Sequence, residues 1–474
     1  MNYLHAEWIR SRGSTLWWLA GAGLLFGCVF AAFSLVGRVE TARDLMNWQG
    51  LLVTALAAPV ATLFAGVAET RERSSRSGGT DWRPVDPRRV RAARLAVVWA
   101  ALGVFCLADF GVNWLVASAV GLSGAGAVLA AGAAVWVGMC GVAGVAAALV
   151  RRGGMLPTLV AAMAYQVELG YFCDRVWWWA NPAAWPLRLE LPLMGLQFNL
   201  LPLEPGSALD RQSPWAPLAL CLLLAAFGAA CAVWTEPRRE RRRRTTAHVV
   251  AAPRAAGAAV PRPARVGFVA ALRGVYGAGR VASLSVLLLL TALVMLVAMR
   301  YPVDVRRALE TYLILPVGAG VLPALVWPRL RPAWQLMRVE HPDVGAALRV
   351  WTCGVVALVV VFGELTSGFG VVGSAIALLT TSTLALTALY ITVRFGVAWT
   401  LAATLVWTVL SVTIGGDVLA GSWLWVLAVP AWAETATTPL RAAVALGGGV
   451  LLAAGAWAAA GRALADPARR DSAG

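Results

Sequence analysis

Long apolar runs alternate along this chain with short, arginine-rich polar breaks, and the runs have the length of a bilayer crossing. A hydrocarbon core takes about 20 consecutive apolar residues as a helix. Such runs fall at about 15–36, 48–68, 95–119, 124–150, 155–172 and 215–234 in the first half. The second half offers about 281–299, 310–327, 350–369, 373–393, 395–414 and 441–460. The pattern predicts an all-α integral membrane protein of about twelve transmembrane helices. Each half runs span, short outer loop, span, basic inner loop, three spans, longer outer segment, final span. That rhythm predicts two pseudo-repeated six-helix units, 1–235 and 281–474. Between them, 236–280 combines a block of arginines with alanines and prolines that cannot bury a core, and it reads as a cytosolic linker and amphipathic segment able to adsorb on anionic lipid.

Composition removes the soluble alternatives: 59% of residues are hydrophobic and only 14% charged, too few to solvate the surface of a protein this size. All 40 residues of the Lys+Arg total are arginine. Without lysine the chain holds no Walker lysine, no Schiff-base lysine and no lysine general base, so it is not itself a P-loop ATPase. A net charge of +16 would point to nucleic acid in a soluble protein. Here its sidedness matters more, and no nucleic-acid partner is expected. With the N-terminus in the cytoplasm, 31 arginines fall on inner segments and nine on outer ones, which favours cytoplasmic N- and C-termini. Arginine in place of lysine, with abundant alanine and glycine, fits a high-GC bacterial genome and hence a bacterial plasma membrane.

Enzyme chemistry finds little support. His5, His248 and His341 lie far apart, the seven cysteines are scattered through apolar runs, and no HExxH, GxSxG or Cys/His ligand spacing occurs. No metal site, catalytic residue or bound cofactor is expected. Intramembrane polar residues are the functional suspects, because a charge at the bilayer centre is expensive unless paired or hydrated. Asp109 and Asn113 share a helical face at i, i+4, Glu168 lies late in the fifth run and Glu364 within the ninth. They either line a polar route or sit at interface depth and reach headgroups. The segment from Cys173 to Trp215 carries Trp177, Trp178, Trp179 and Trp185 among prolines, and its counterpart carries Trp423, Trp425, Pro430 and Trp432. Both readings stay open there: an aromatic belt at the outer surface, or a short re-entrant hairpin. Gly138, Gly141 and Gly144 give the fourth run a thin edge suited to close helix packing.

The opening LHAEWIRSRGSTLWWLA, with Glu7, Trp8, Arg10 and Arg12 leading into Trp17 and Trp18, resembles the start of permease subunits of the type-two ATP-binding-cassette (ABC) exporter family. The likeness extends to the inner loop with Glu69, Arg71, Gly79, Trp82, Pro84, Arg88 and Arg94, and to the outer segment before the sixth span. The resemblance implies two six-helix units fused in one chain, a passive conduit for a hydrophobic or amphipathic small molecule or peptide. ATP would be used through a partner ATPase subunit, in two copies, and membrane lipids would surround the spans. It also implies that Asp81, Trp82, Arg83, Pro84 and Arg88 in the first inner loop, and Arg331, Trp334 and Arg338 in the second, contact the ATPases. The second loop departs from the first in being shorter and broken by proline. The rival expectation is an ion-coupled secondary transporter with the same six-plus-six layout.

Overall fold

The computed structural model describes residues 2–36, 39–74, 85–236, 267–278, 302–416 and 418–466. Among them the chain is helical, with no strand beyond isolated bridges. Ten helical stretches are long and apolar enough to cross a membrane, as a multi-pass membrane protein requires. They correspond to ten of the twelve predicted runs. The run at about 281–299 lies outside the described residues. The run at about 155–172 winds irregularly: helix Met155–Ala164 passes into a π turn, Tyr165–Leu169, and then a 3-10 turn, Gly170–Asp174. Gln166 explains the irregularity, because its side chain donates to the Val53 carbonyl at 2.7 Å and accepts from Ala58 N at 3.3 Å. Those partners lie in or beside a second π turn, Leu52–Leu56. Widened turns leave backbone groups without helical partners, and the amide fills that gap.

The chain divides into two compact units, Met1–His248 and Val249–Gly474, the division falling inside the predicted 236–280 linker. In the first, a short helix α1 (Tyr3–Ser11) precedes α2 (Thr15–Val36). Then come α3 (Ala42–Asn47), α4 (Ala57–Ser74), α5 (Pro87–Val120) and α6 (Gly126–Gly153). The unit closes with α7 (Met155–Ala164), α8 (Ala184–Met194) and α9 (Trp215–Trp234). Asp86 caps α5, accepting from Arg88 N at 2.9 Å with Pro87 in the first turn. Gly154 breaks α6 from α7 at φ 93°, a conformation other residues rarely adopt.

Helix α6 is the spine of this unit. A Cβ on Gly144 would collide with the Gly228 backbone of α9, so both glycines are needed for two helices to approach this closely. The predicted glycine edge is therefore a packing seam. Away from the seam the surface is apolar: Leu222, Leu223 and Phe227 on α9 are each more than half exposed. Small residues inside and large apolar ones outside suit lipid as the surrounding solvent.

In the second unit α10 (Phe268–Ala278) comes first among the described residues. It is followed by α11 (Val303–Leu309), a π turn at Glu310–Ile314 and α12 (Leu315–Leu330). Next are α13 (Trp334–Glu340), α14 (Val344–Ser367) and α15 (Gly370–Phe395). Gly396, at φ 95°, then opens α16 (Val397–Gly415). Three 3-10 turns between Val418 and Ala431 lead to α17 (Trp432–Thr435) and α18 (Pro439–Ala465). A core of Leu322, Trp327, Trp334, Leu348, Leu386 and Leu464 joins α12, α13, α14, α15 and α18.

Candidate functional site

Five elements of the first unit bring charge together at one end. Arginines near the start of α5 and the end of α6, and acids in α1 and near the end of α4, place opposite charges on neighbouring helix ends. Glu69 Oε2 accepts from Arg94 Nη1 and from Arg151 Nε, each at 3.0 Å, and Glu69 Oε1 accepts from Arg151 Nη2 at 3.1 Å. Glu7 accepts from Arg71 and, at 3.2 Å, from Arg10, and lies 3.7 Å from Arg94 Nε. Glu7, Glu69, Arg94 and Arg151 are all buried. Arg151 Nη1 also donates at 2.7 Å to the carbonyls of Ala232 and Thr235, and Arg91 donates to Val233 at 3.1 Å. These are terminal carbonyls of α9, which lack helical donors. Buried carboxylates held by forked guanidiniums are geometrically demanding and cannot lose one partner cheaply. The arrangement fastens α1, α4, α5, α6 and α9 to one another, and α4 and α5 are the helices that flank residues 75–84.

Asp81, Trp82, Arg83 and Pro84 lie outside the described residues, while Arg88 is exposed at the start of α5. In the second unit the corresponding candidates are Arg331, Trp334 and Arg338. Trp334 is buried, donating Nε1–H to the Leu464 carbonyl at 3.0 Å and packing edge-on against Trp327. Arg338 donates to the Ala465 carbonyl, and Arg331 is exposed. Trp334 thus serves its own core, and its ring offers nothing to a partner.

The intramembrane candidates separate. Asp109 and Asn113 are fully buried beside Gln49, whereas Glu168 is exposed. Glu364, part-buried, accepts from Gly370 N at 3.2 Å and from Ser374 Oγ at 2.6 Å, so from the end of α14 it caps the start of α15.

Besides Arg151, three buried charged groups escaped the sequence reading. Glu310, in the π turn before α12, is 1% exposed, with neither carboxylate oxygen hydrogen-bonded. Glu190 and Arg188 are buried on α8, which packs against α6 and α9. Arg188 Nε donates to the Cys173 carbonyl at 2.7 Å, and its guanidinium lies 4.8 Å from the Trp178 ring centre. Burial pushes the Glu190 carboxyl up to about 8. The signal available for Glu190 and Arg188 was the alternation in PLRLELPL, where charges punctuate leucines. The signal for Arg151 was only its position at a helix end.

Comparison of this chain with protein-family models, curated proteins and solved structures finds no match.

Proposed function

We propose that this chain is the transmembrane permease subunit of an ATP-driven ABC exporter, moving a hydrophobic or amphipathic compound out of the cytoplasm with a separate ATPase, in two copies. The observation that carries the reading is the charge latch around Glu7 and Glu69. Through it, a push on the loop between α4 and α5 reaches α1, α6 and α9 as one body. Such a motion drives alternating access only if the ATPase interacts differently with the two states.

The order of parts supports the finer layout of twelve helices in two six-helix repeats. Each unit has a short leading helix, α1 or α10, and a π turn in the helix before the inner loop. Each has a left-handed glycine between its fourth and fifth long runs, Gly154 or Gly396, and a set of 3-10 turns before its last helix. Buried Arg188, Glu190, Trp425 and Trp432 in the latter segments favour re-entrant elements over a plain aromatic belt. Half-exposed Leu4 and Ile9 give α1 an apolar face suited to lying on a leaflet surface, in keeping with the cytoplasmic termini of a bacterial membrane protein that the arginine distribution favours. The ATPase contacts are then the 81–88 segment in the first unit, and Arg331 with exposed Leu336 and Val339 in the second.

The test is purification of the full chain from its native membrane, with ATP hydrolysis measured in the eluate. Wild type should carry a stoichiometric P-loop ATPase. A W82A/R83A/R88A variant should insert normally and lose both the ATPase and the hydrolysis. An eluate without nucleotide hydrolysis, combined with uphill transport by the lone chain in liposomes under a proton gradient, would establish the ion-coupled carrier instead.

A further inference from the structure

Asp109 and Asn113 take no part in the charge latch, and their environment can be counted atom by atom. Asp109 Oδ1 accepts from Gln49 Nε2 at 3.3 Å, and Asn113 Nδ2 donates to the Asp109 backbone carbonyl at 2.9 Å and to that of Gly27 at 3.5 Å. All three side chains are 0% exposed. Three oxygens have no donor: Asp109 Oδ2, Gln49 Oε1 and Asn113 Oδ1. No arginine or histidine pairs with Asp109 among the described residues. Helix α2 carries no charged side chain and presses its Gly27 against the Asp109 backbone, and α5 itself adds the Cys106 thiol. From α8 comes a second acid, Glu190, which with Asp109 lies in electrostatic range of Cys106. Helix α6 brings no ionisable side chain but Cys140 to this depth.

A buried anion facing unpaired acceptor oxygens has only the Gln49 amide to offset its lost hydration. One proton supplies the missing donor. With Gln49 Nε2–H already directed at Oδ1, a hydrogen on Oδ2 completes the two-bond ring of a carboxylic acid paired with a primary amide. We infer that Asp109 is a proton-binding site of the first unit, held as the neutral acid against the Gln49 amide. Gln49 leads through the Leu52–Leu56 turn into α4, and Asp109 belongs to α5. Any rearrangement that parts these two elements and admits water releases the proton. The site stands whether or not an ATPase drives the chain.

Infrared spectroscopy of the full chain in lipid nanodiscs at neutral pH tests this. The sample carries carbonyl-13C aspartate, and wild type is compared with Asp109→Asn. The expected result is a neutral-acid C=O band that moves with the label and is lost in D109N. If D109N removes carboxylate intensity instead, the inference fails. Should D109N not fold, the label decides alone in wild type, since Asp109 is the only buried aspartate among the described residues. No labelled neutral-acid band then overturns the proposal. A thermal stabilisation by sodium over choline chloride that D109N abolishes would make the site a cation site and likewise overturn it.

Discussion

Arg151 grips Glu69 with two parallel bonds, Nε to Oε2 at 3.0 Å and Nη2 to Oε1 at 3.1 Å, while its remaining nitrogen caps α9. One side chain therefore joins the ends of three helices, α4, α6 and α9. Replacing it with Met should lower stability by on the order of 3 kcal/mol, because Glu69 keeps its burial and loses its better partner. Arg151→Lys should recover only part, since an ammonium cannot make the forked contact and cap α9 together. Thermal unfolding in detergent measures both, and equal midpoints for R151M and wild type would show that the clamp contributes nothing.

The seam between α6 and α9 makes a sharper steric prediction. Gly144→Val should cost about 2 kcal/mol through forced separation of the helices. Gly153→Ala, whose added Cβ meets nothing within 4 Å, should change the midpoint little. A harmless G144V would contradict the packing.

Trp334 and Arg331 lie three residues apart and should behave oppositely. Trp334→Ala empties a buried site and breaks the bond to Leu464, a loss of about 4 kcal/mol, read as a lower unfolding midpoint. Arg331→Ala should lower the midpoint far less than W334A and weaken ATPase association. The reverse pattern would move the contact surface elsewhere.

Glu190 sits on α8, outside the ten spanning stretches, and supplies a pH dependence. Its folded value of about 8 lies above the ordinary 4.5, so between those pH values the folded state holds a proton that the unfolded chain releases. Stability contributed by this group is therefore full below about 4.5 and falls as pH rises to about 8. Glu190→Gln should flatten that decline in a series of unfolding midpoints. An unchanged slope would assign it to other groups.

Apolar run length was enough to place ten helices, because a bilayer crossing demands a continuous stretch that soluble folds seldom contain. The run at 155–172 shows the limit. Hydropathy cannot see that Gln166 will bond across to Val53 and trade regular winding for a π turn. Likewise the i, i+4 spacing put Asp109 and Asn113 on one face, but only packing added Gln49, from 60 residues away.

From sequence alone come the all-helical membrane class and the exclusion of lysine-based chemistry, since each follows from composition or run length without long-range contacts. Tertiary structure decided which charges are buried together: Glu69 with Arg94 and Arg151, Asp109 with Gln49, Glu190 against α6, and Trp334 turned into its own core. The reason is physical. Whether a polar side chain meets lipid, water or a partner depends on helix rotation and neighbours, and in this chain those are set by close approaches at glycines such as Gly27, Gly144 and Gly228.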